Sequence, residues 1–166
     1  SAPGNLPVRP TTDMAKEALF NILNNTYDLE ECNVLDLFCG TGNISIEFAS
    51  RGNAHVTAID RHAGCVHWIK SVTGKFDLNE ISVQKADVFK FLQQTNQQYK
   101  IIFADPPYDL PNIAQIPELV MSRNLLQENG LLIVEHPSLL KLSDYAGFKE
   151  TRKYGNSSFS FFEPLG

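Results

Sequence analysis

The four residues Asp105-Pro106-Pro107-Tyr108 carry the most distinctive chemistry in this sequence. They follow an apolar run that is predicted to be a buried strand. A carboxylate and a proline carbonyl side by side can accept two hydrogen bonds from one amino group, which localises and orients the nitrogen lone pair. The prolines stiffen the loop, and the Tyr108 ring offers a flat face for an extruded nucleic-acid base. The motif therefore indicates catalysis at the exocyclic amine of a base, although a double proline alone would indicate only a turn.

A glycine turn at the end of the first predicted strand is typical of a nucleotide-binding site. Asp36 and Phe38 precede the turn, and Gly40 and Gly42, which lack Cβ atoms, let the backbone turn sharply and lie against a ligand. Ser45 occupies the third glycine position of the dinucleotide fingerprint G-x-G-x-x-G. This departure, with no evident set of residues for hydride transfer, disfavours an NAD-dependent oxidoreductase.

Two further carboxylates follow the next two predicted strands. Asp60 lies about 20 residues beyond the glycines, where a carboxylate can accept hydrogen bonds from both hydroxyls of a ribose; the alternative is a surface carboxylate at a strand end. Asp87 could accept a hydrogen bond from an adenine amino group, or cap the next helix, and the two roles are compatible. A nucleoside pocket beside an amine-orienting loop indicates S-adenosylmethionine as the cofactor and methyl transfer as the reaction.

The elements that must position these residues alternate between strand and helix, which predicts a doubly wound α/β fold with a mostly parallel sheet. A first helix is expected to begin after Thr12 as its N-cap. The predicted strands are 33–38, 55–59, 81–85, 100–104 and 130–135, and the predicted helices are 44–51, 63–76, 88–94 and 117–123. The tail predicts an antiparallel hairpin of strands 148–154 and 158–163 around Gly155-Asn156. We expect one domain over 1–166, with 1–12 as a lead-in segment.

Composition limits the function classes. With 43% hydrophobic and 20% charged residues over 166, and no apolar run near the ~20 residues that cross a bilayer, the sequence predicts a globular protein outside the membrane. The three cysteines lack the CxxC spacing of zinc or redox sites, and the histidines are scattered, so we expect reduced thiols, a cytoplasmic location and no metal. The net charge of -5 is unusual for a nucleic-acid enzyme, which normally presents a basic surface.

Three other features have weaker functional interpretations. His136, after the fifth predicted strand, is expected to cap a strand end, with a place in the pocket as the alternative. Three aromatic residues near the end of the chain are expected in the core, because successive strand residues face opposite sides: Phe159, Phe161 and Phe162. Three basic residues are expected on a solvated face, with RNA contact as the alternative: Lys149, Arg152 and Lys153.

At these motifs the sequence resembles the bacterial 16S ribosomal RNA guanine-N2 methyltransferases, over nearly the whole chain. The D-P-P-Y motif and the glycine turn occur in many methyltransferases, whereas the beginning and the tail narrow the choice. The shared marks are Arg9-Pro10-Thr11-Thr12-Asp13, Asp36 to Gly42, Asp105 to Tyr108, Glu135-His136 and Arg152-Lys153-Tyr154-Gly155. A basic segment that family members generally carry before the first mark is not among the 166 residues.

The resemblance implies a Rossmann-like class I methyltransferase fold, with seven strands of which the last is antiparallel. It also implies S-adenosylmethionine as donor and transfer to the N2 amine of a guanine in 16S rRNA. Carried over by position, the cofactor motifs are Asp36, Gly40, Gly42, Asp60 and Asp87, and the target-amine motif is Asp105, Pro106, Pro107 and Tyr108. Arg9, Thr11 and Thr12 match a substrate segment near the active site. The acidic charge adds the expectation that the substrate is a small-subunit ribosomal particle.

Other functions compete with this interpretation. A DNA adenine-N6 methyltransferase uses the same four-residue motif, but such enzymes usually need additional sequence to recognise a DNA site. A protein-glutamine methyltransferase normally begins the motif with Asn, in contrast to Asp105. A cofactor-binding module without catalysis is disfavoured by the intact motif, and a methyl-transfer assay would distinguish it.

Overall fold

Five helices and seven strands make up the parts of the chain that the computed structural model describes, residues 13–26, 29–52, 54–75 and 80–165. The helices are α1 (Asp13–Thr26), α2 (Asn43–Gly52), α3 (Ala63–Lys75), α4 (Val88–Gln94) and α5 (Gln115–Ser122). The strands are β1 (Asn33–Leu37), β2 (His55–Asp60), β3 (Ile81–Lys85), β4 (Tyr99–Ala104), β5 (Leu126–Pro137), β6 (Phe148–Tyr154) and β7 (Ser157–Phe162).

The strands form one sheet in the order β3-β2-β1-β4-β5-β7-β6. β7 is antiparallel to both of its neighbours, and the other adjacent pairs are parallel. The α/β fold, the seven strands and the antiparallel last strand are therefore confirmed. The order reverses between β1 and β4, and in open α/β sheets such a switch point leaves a crevice at the carboxyl ends of the strands.

Helices cover the sheet on both faces, as a doubly wound fold requires. Apolar residues of α1, α2 and α3 form one buried cluster with one face of the sheet, and those of α4 and α5 form a second cluster with the other face. Alternate residues of β7 enter opposite clusters. Phe159 and Phe161 belong to the first and Phe162 to the second, all at most 2% exposed, which confirms the prediction that they are core residues.

Strand β5 and helix α5 differ from their predicted bounds. β5 begins at Leu126 instead of residue 130, because the polar residues 127–129 interrupt the apolar pattern by which a buried strand is recognised. Asn129 has φ 61°, and the pairing with β4 shifts register at this point, which marks a bulge. α5 begins two residues before Pro117, since a proline in the first helical turn lacks only an N–H that would have no intrahelical partner.

Within the described residues, the helices are too short or too polar to cross a membrane.

Candidate active site

A cavity of about 660 Å³ opens at the carboxyl ends of β1 to β4, where the strand order reverses. Its volume lies in the range of small-molecule sites, about 300–1,000 Å³. Nine of the residues that the sequence assigned to catalysis or cofactor binding line this cavity: Asp36, Phe38, Gly40, Asp60, Asp87, Asp105, Pro106, Pro107 and Tyr108. Asp36 beside the glycine turn and Pro106 of the D-P-P-Y motif are 70 residues apart in the sequence, yet both line this cavity.

The glycine turn between β1 and α2 is built from left-handed backbone. Phe38, Gly40 and Gly42 have φ of 58°, 55° and 83°. The Cys39 N–H donates to the Ile59 carbonyl at 3.0 Å, and the Gly42 N–H donates to the Cys39 carbonyl at 2.8 Å, which fixes the turn against β2. A left-handed φ is unusual for a bulky residue, so these hydrogen bonds hold Phe38 in a conformation with an energetic cost.

Gly42 does not line the cavity. A Cβ atom at this position would come within 3.0 Å of Cγ1 of Ile69 in α3, and the positive φ adds strain for any other residue. Gly40, by contrast, lies in the cavity wall. Gly40 allows a close approach to the cavity, and Gly42 allows α3 to pack against the turn.

Asp36 is the most deeply buried carboxylate of the cavity, with 2% of its surface exposed. The Ser45 hydroxyl donates to Oδ2 of Asp36 at 2.6 Å. Burial, and to a lesser degree the negative charge of Asp60, raise the pKa of Asp36 to about 7, while the hydrogen bond from Ser45 acts in the opposite direction. Ser45, which occupies the third glycine position of the dinucleotide fingerprint, thus holds the Asp36 carboxylate in place. The sequence analysis did not predict this role.

Asp60 fastens the glycine turn to the end of β2. Its Oδ2 accepts a hydrogen bond from the Gly40 N–H at 3.0 Å, and its Oδ1 accepts one from the His62 N–H at 2.8 Å. Each carboxylate oxygen has two acceptor sites, so these bonds leave capacity for hydroxyl donors from a ligand. The predicted carboxylate at a strand end is therefore held in a fixed orientation on the cavity wall.

Asp87 caps helix α4, which confirms one of its two predicted roles. Its Oδ1 accepts a hydrogen bond from the Lys90 N–H at 3.0 Å, and its backbone is extended, as at a helix N-cap. Phe89, two residues later, lines the cavity, and its ring meets the Phe38 ring edge to face, with 6.4 Å between centroids. The wall beside Asp87 therefore combines a carboxylate with two aromatic rings.

The D-P-P-Y loop forms a further part of the cavity wall. The loop begins directly after β4. Within it, Pro106 is buried and Pro107 is exposed. The Leu110 N–H donates to the Pro107 carbonyl at 3.0 Å and closes the loop into a turn. Asp105 and Tyr108 are both half-buried and line the cavity, so a carboxylate and a phenol ring are accessible from it.

Several lining residues were not singled out from the sequence: Thr41, Asn43, Arg61, His62, Phe89 and Phe103. Each of them lies within two residues of a predicted site residue, and that proximity in sequence is the signal that could have identified them. The three predicted substrate-binding residues Arg9, Thr11 and Thr12 lie outside the described residues. The prediction that Thr12 caps the first helix falls outside them as well.

His136 lies within β5 and does not line the cavity, which favours a structural role. Its Nε2 lies 2.7 Å from the Ser160 Oγ and its Nδ1 lies 2.9 Å from the Pro137 carbonyl oxygen. Burial lowers the pKa of His136, so the neutral ring is favoured there. The preceding residue Glu135 is also buried, and it accepts a hydrogen bond from the Ser157 hydroxyl at 2.8 Å. Among the described residues there is no cluster of three or more His, Cys, Asp or Glu that could hold a metal ion.

Comparison with known proteins gives a family and a set of relatives. A model of the family described as conserved hypothetical protein 95 matches residues 2–163. The chain is similar to ribosomal RNA small subunit methyltransferase D of Buchnera aphidicola, with 31% identity over 133 residues, 80% of this chain and 67% of the relative. It is also similar to the provisionally named rRNA methyltransferase YlbH of Bacillus subtilis, with 30% identity over 165 residues, 95% of this chain and 89% of the relative.

Solved structures share the fold. A provisionally named methyltransferase from Escherichia coli superposes with a TM-score of 0.84 at 24% identity, over 96% of this chain and 91% of that chain. A Thermus thermophilus 16S rRNA N2 methyltransferase, solved with S-adenosylmethionine and guanosine, superposes with a TM-score of 0.76 at 20% identity, over 96% of this chain and 45% of that chain. These likenesses confirm the class I methyltransferase fold.

Proposed function

The chain belongs to the family described as conserved hypothetical protein 95, a family of 16S rRNA methyltransferases, and from this premise we propose its reaction. We propose that it transfers a methyl group from S-adenosylmethionine to the N2 amine of a guanine in 16S rRNA. Among the relatives whose fold it shares, the Thermus thermophilus enzyme is named for that N2 chemistry. Methyl transfer to an amine is supported by the arrangement of the cavity, and the choice of guanine N2 is supported by the resemblance to the N2 methyltransferases.

One observation carries the proposal: the glycine turn with Asp36 and Asp60, and the D-P-P-Y loop with Asp105, are walls of the same cavity. A methyl donor and an amine acceptor must meet at a short distance for transfer, so their binding residues must face one another across a shared space. A module that only bound a nucleoside would have no use for a second wall built to orient an amine.

The residues present fit S-adenosylmethionine. We assign the ribose hydroxyls to Asp60, the close backbone approach to Gly40, and the adenine edge to Asp87 with apolar ring surface from Phe38 and Phe89. The buried Asp36 carboxylate is suited to a cationic ligand because a positive charge nearby would offset its desolvation. When bound, the donor supplies an electrophilic methyl group on a sulfonium sulfur.

In the D-P-P-Y loop, Asp105 and the Pro106 carbonyl would accept hydrogen bonds from the two N–H groups of the guanine amine. Those bonds draw the nitrogen lone pair out of conjugation with the ring and direct it across the cavity. Pro107 stiffens the turn and Tyr108 provides a face for stacking the extruded base. Arg9, Thr11 and Thr12 remain proposed substrate contacts outside the described residues.

The proposed partner is 16S rRNA within a small-subunit particle, which implies a cytoplasmic location, and residues 1–166 are proposed to act as one domain with 1–12 as the lead-in. The direct test incubates undermethylated small subunits with the protein and S-adenosylmethionine and then maps methyl groups on the rRNA by mass. One guanine should gain one methyl group on N2. Methylation of an adenine in DNA, or of no nucleotide at all, would contradict the proposal.

A further inference from the structure

Residues 138–141 form a turn that follows β5. The turn lies beyond the carboxyl end of that strand, which is the end of the sheet where the cavity opens. Ala104 at the end of β4 pairs with Val134, so the D-P-P-Y loop begins at the level of residue 135. β5 continues to Pro137, about 10 Å beyond Val134 at the usual rise of a strand. The turn therefore lies beside the D-P-P-Y loop and farther out from the sheet than the start of that loop.

Leu139 in this turn is 97% exposed, more than the other exposed large apolar residues of the described chain, Met14 at 77% and Leu165 at 60%. The neighbouring leucines point inward: Leu140 packs against the core and Leu142 is 1% exposed. The turn thus buries its other leucines and presents one to solvent. An isolated exposed leucine needs no explanation, but this one lies at the same end of the sheet as the D-P-P-Y loop and follows the neighbouring strand.

The backbone that carries Leu139 is held by hydrogen bonds on both sides. The Ser138 N–H donates to the Asn156 carbonyl at 2.9 Å, and the Leu140 N–H donates to the Pro137 carbonyl at 3.0 Å. The Ser138 hydroxyl donates to the Gly155 carbonyl at 3.1 Å, which ties the turn to the β6–β7 hairpin. Leu139 is therefore presented on a rigid support, and little conformational entropy would be lost if it entered a partner.

Positive charge accompanies the turn although the whole chain is acidic. Lys141 is exposed two residues after Leu139. β5 and β6 are both antiparallel to β7, so they run in the same direction and their carboxyl ends lie at the same end of the sheet. The carboxyl end of β6 carries exposed Arg152 and Lys153. Arg152 pairs with Glu150 at 2.8 Å, and the two lysines supply the clearer attraction for phosphate groups.

We infer that the 138–141 turn is an RNA-docking surface, and that Leu139 enters the base stack in place of the target base when that base turns into the cavity. The inference rests on the proposed function, because an amine within a stacked base cannot reach Asp105. Proteins that unstack bases frequently insert an apolar side chain between base steps, and enzymes that act on a base turn it out into a pocket. An apolar side chain in the gap would contact the bases on either side of it. Lys141 and Lys153 would hold the flanking phosphates.

The test compares Leu139→Ala with Leu165→Ala. Leu165 is also exposed, but it follows the end of antiparallel β7 and so lies at the other end of the strands, away from the cavity. Single-turnover methyl transfer to undermethylated small subunits should fall about 10-fold or more in Leu139→Ala and stay at the parent rate in Leu165→Ala. Leu139→Phe should restore most of the rate, because it again fills the gap. Donor affinity and melting temperature should be unchanged in all three variants.

A parent-like rate in Leu139→Ala, an equal loss in Leu165→Ala, or no recovery in Leu139→Phe would overturn the inference while the parent still methylates guanine. If the parent transfers no methyl group to 16S rRNA, the proposed function itself fails and the inference fails with it. The parent measurement therefore separates the two failures.

Discussion

Of the five aspartates that line the cavity, three differ clearly in their surroundings: Asp36, Asp60 and Asp105. Asp36 is buried beside a serine hydroxyl and holds its proton up to about pH 7. Asp60 accepts two backbone hydrogen bonds and fixes the glycine turn. Asp105 begins the D-P-P-Y loop directly after β4 and also lines the cavity. The residue type alone would not distinguish them, so their proposed roles are best separated by mutation.

Asp60→Ala and Asp105→Ala should separate donor binding from catalysis. Asp60→Ala should weaken S-adenosylmethionine binding by about 1–3 kcal/mol, because the ribose hydroxyls and the Gly40 N–H lose their acceptor. Asp105→Ala should leave donor affinity nearly intact and lower the methyl-transfer rate about 100- to 1,000-fold, the usual cost of one preorganised electrostatic contact. Calorimetry of donor binding and single-turnover transfer to small subunits measure the two quantities separately.

Asp105→Asn is the control for this pair, since it keeps the shape and one acceptor oxygen but removes the charge. An intermediate rate would indicate that the charge contributes beyond orientation. The division of roles is wrong if Asp105→Ala abolishes donor binding or transfers methyl at the parent rate.

Asp36 should make donor binding depend on pH. Its pKa of about 7 means that it is mostly protonated below that pH, whereas a cationic donor favours the ionised form. Binding therefore releases a proton, and affinity should rise with pH up to about 7, by at most about 10-fold per unit, and then level off. Asp36→Asn should remove this slope, as measured by titration between pH 5.5 and 8. A slope of equal size in the variant would assign the effect to another group.

At the scale of elements, the glycine turn shows how packing adds to backbone conformation. Gly42 and Gly155 both have positive φ, but a Cβ atom at Gly155 would meet nothing within 4 Å, whereas one at Gly42 would press on Ile69. Gly155→Ala should therefore cost about 1–2 kcal/mol of unfolding free energy from backbone strain alone. Gly42→Ala should cost more by about 1 kcal/mol, the usual scale of overpacking. Chemical denaturation of both variants checks the difference, and equal losses would mean that α3 yields without cost.

Most elements could be predicted from the sequence because the strands near the site are short, and each ends at a carboxylate or within three residues of a carboxylate or a glycine. β3, α4 and β6 have the predicted bounds. The first part of β5 could not be predicted, since its bulge contains the polar residues 127–129 and a left-handed Asn129. The role of Ser45 was missed for a related reason: a buried hydrogen bond to Asp36 has no periodic pattern.

For the whole molecule, alternation of elements was enough to predict a doubly wound sheet, and the motifs at strand ends predicted nine of the residues that share the cavity. The sequence could not predict that a Cβ atom at Gly42 would meet Ile69 of α3, because that depends on how closely a neighbouring helix packs. It also could not predict the exposure of Leu139, since Leu139 and Leu140 are identical in type and only the turn separates their environments.

The charge of the whole chain leads to the last prediction. A net charge of -5 repels RNA at long range, and the cations of the 138–141 turn and β6 provide only local attraction. Ribosomal proteins can supply contacts and present the target base, so we expect a higher kcat/KM on small-subunit particles than on deproteinised 16S rRNA. The gap should widen at low salt, where repulsion of naked RNA is least screened. Steady-state kinetics on both substrates at two salt concentrations test this expectation. The matched variant Lys141→Ala should lower kcat/KM on both substrates. Equal turnover on a short RNA hairpin would show instead that the chain needs no ribosomal partner to bind its substrate.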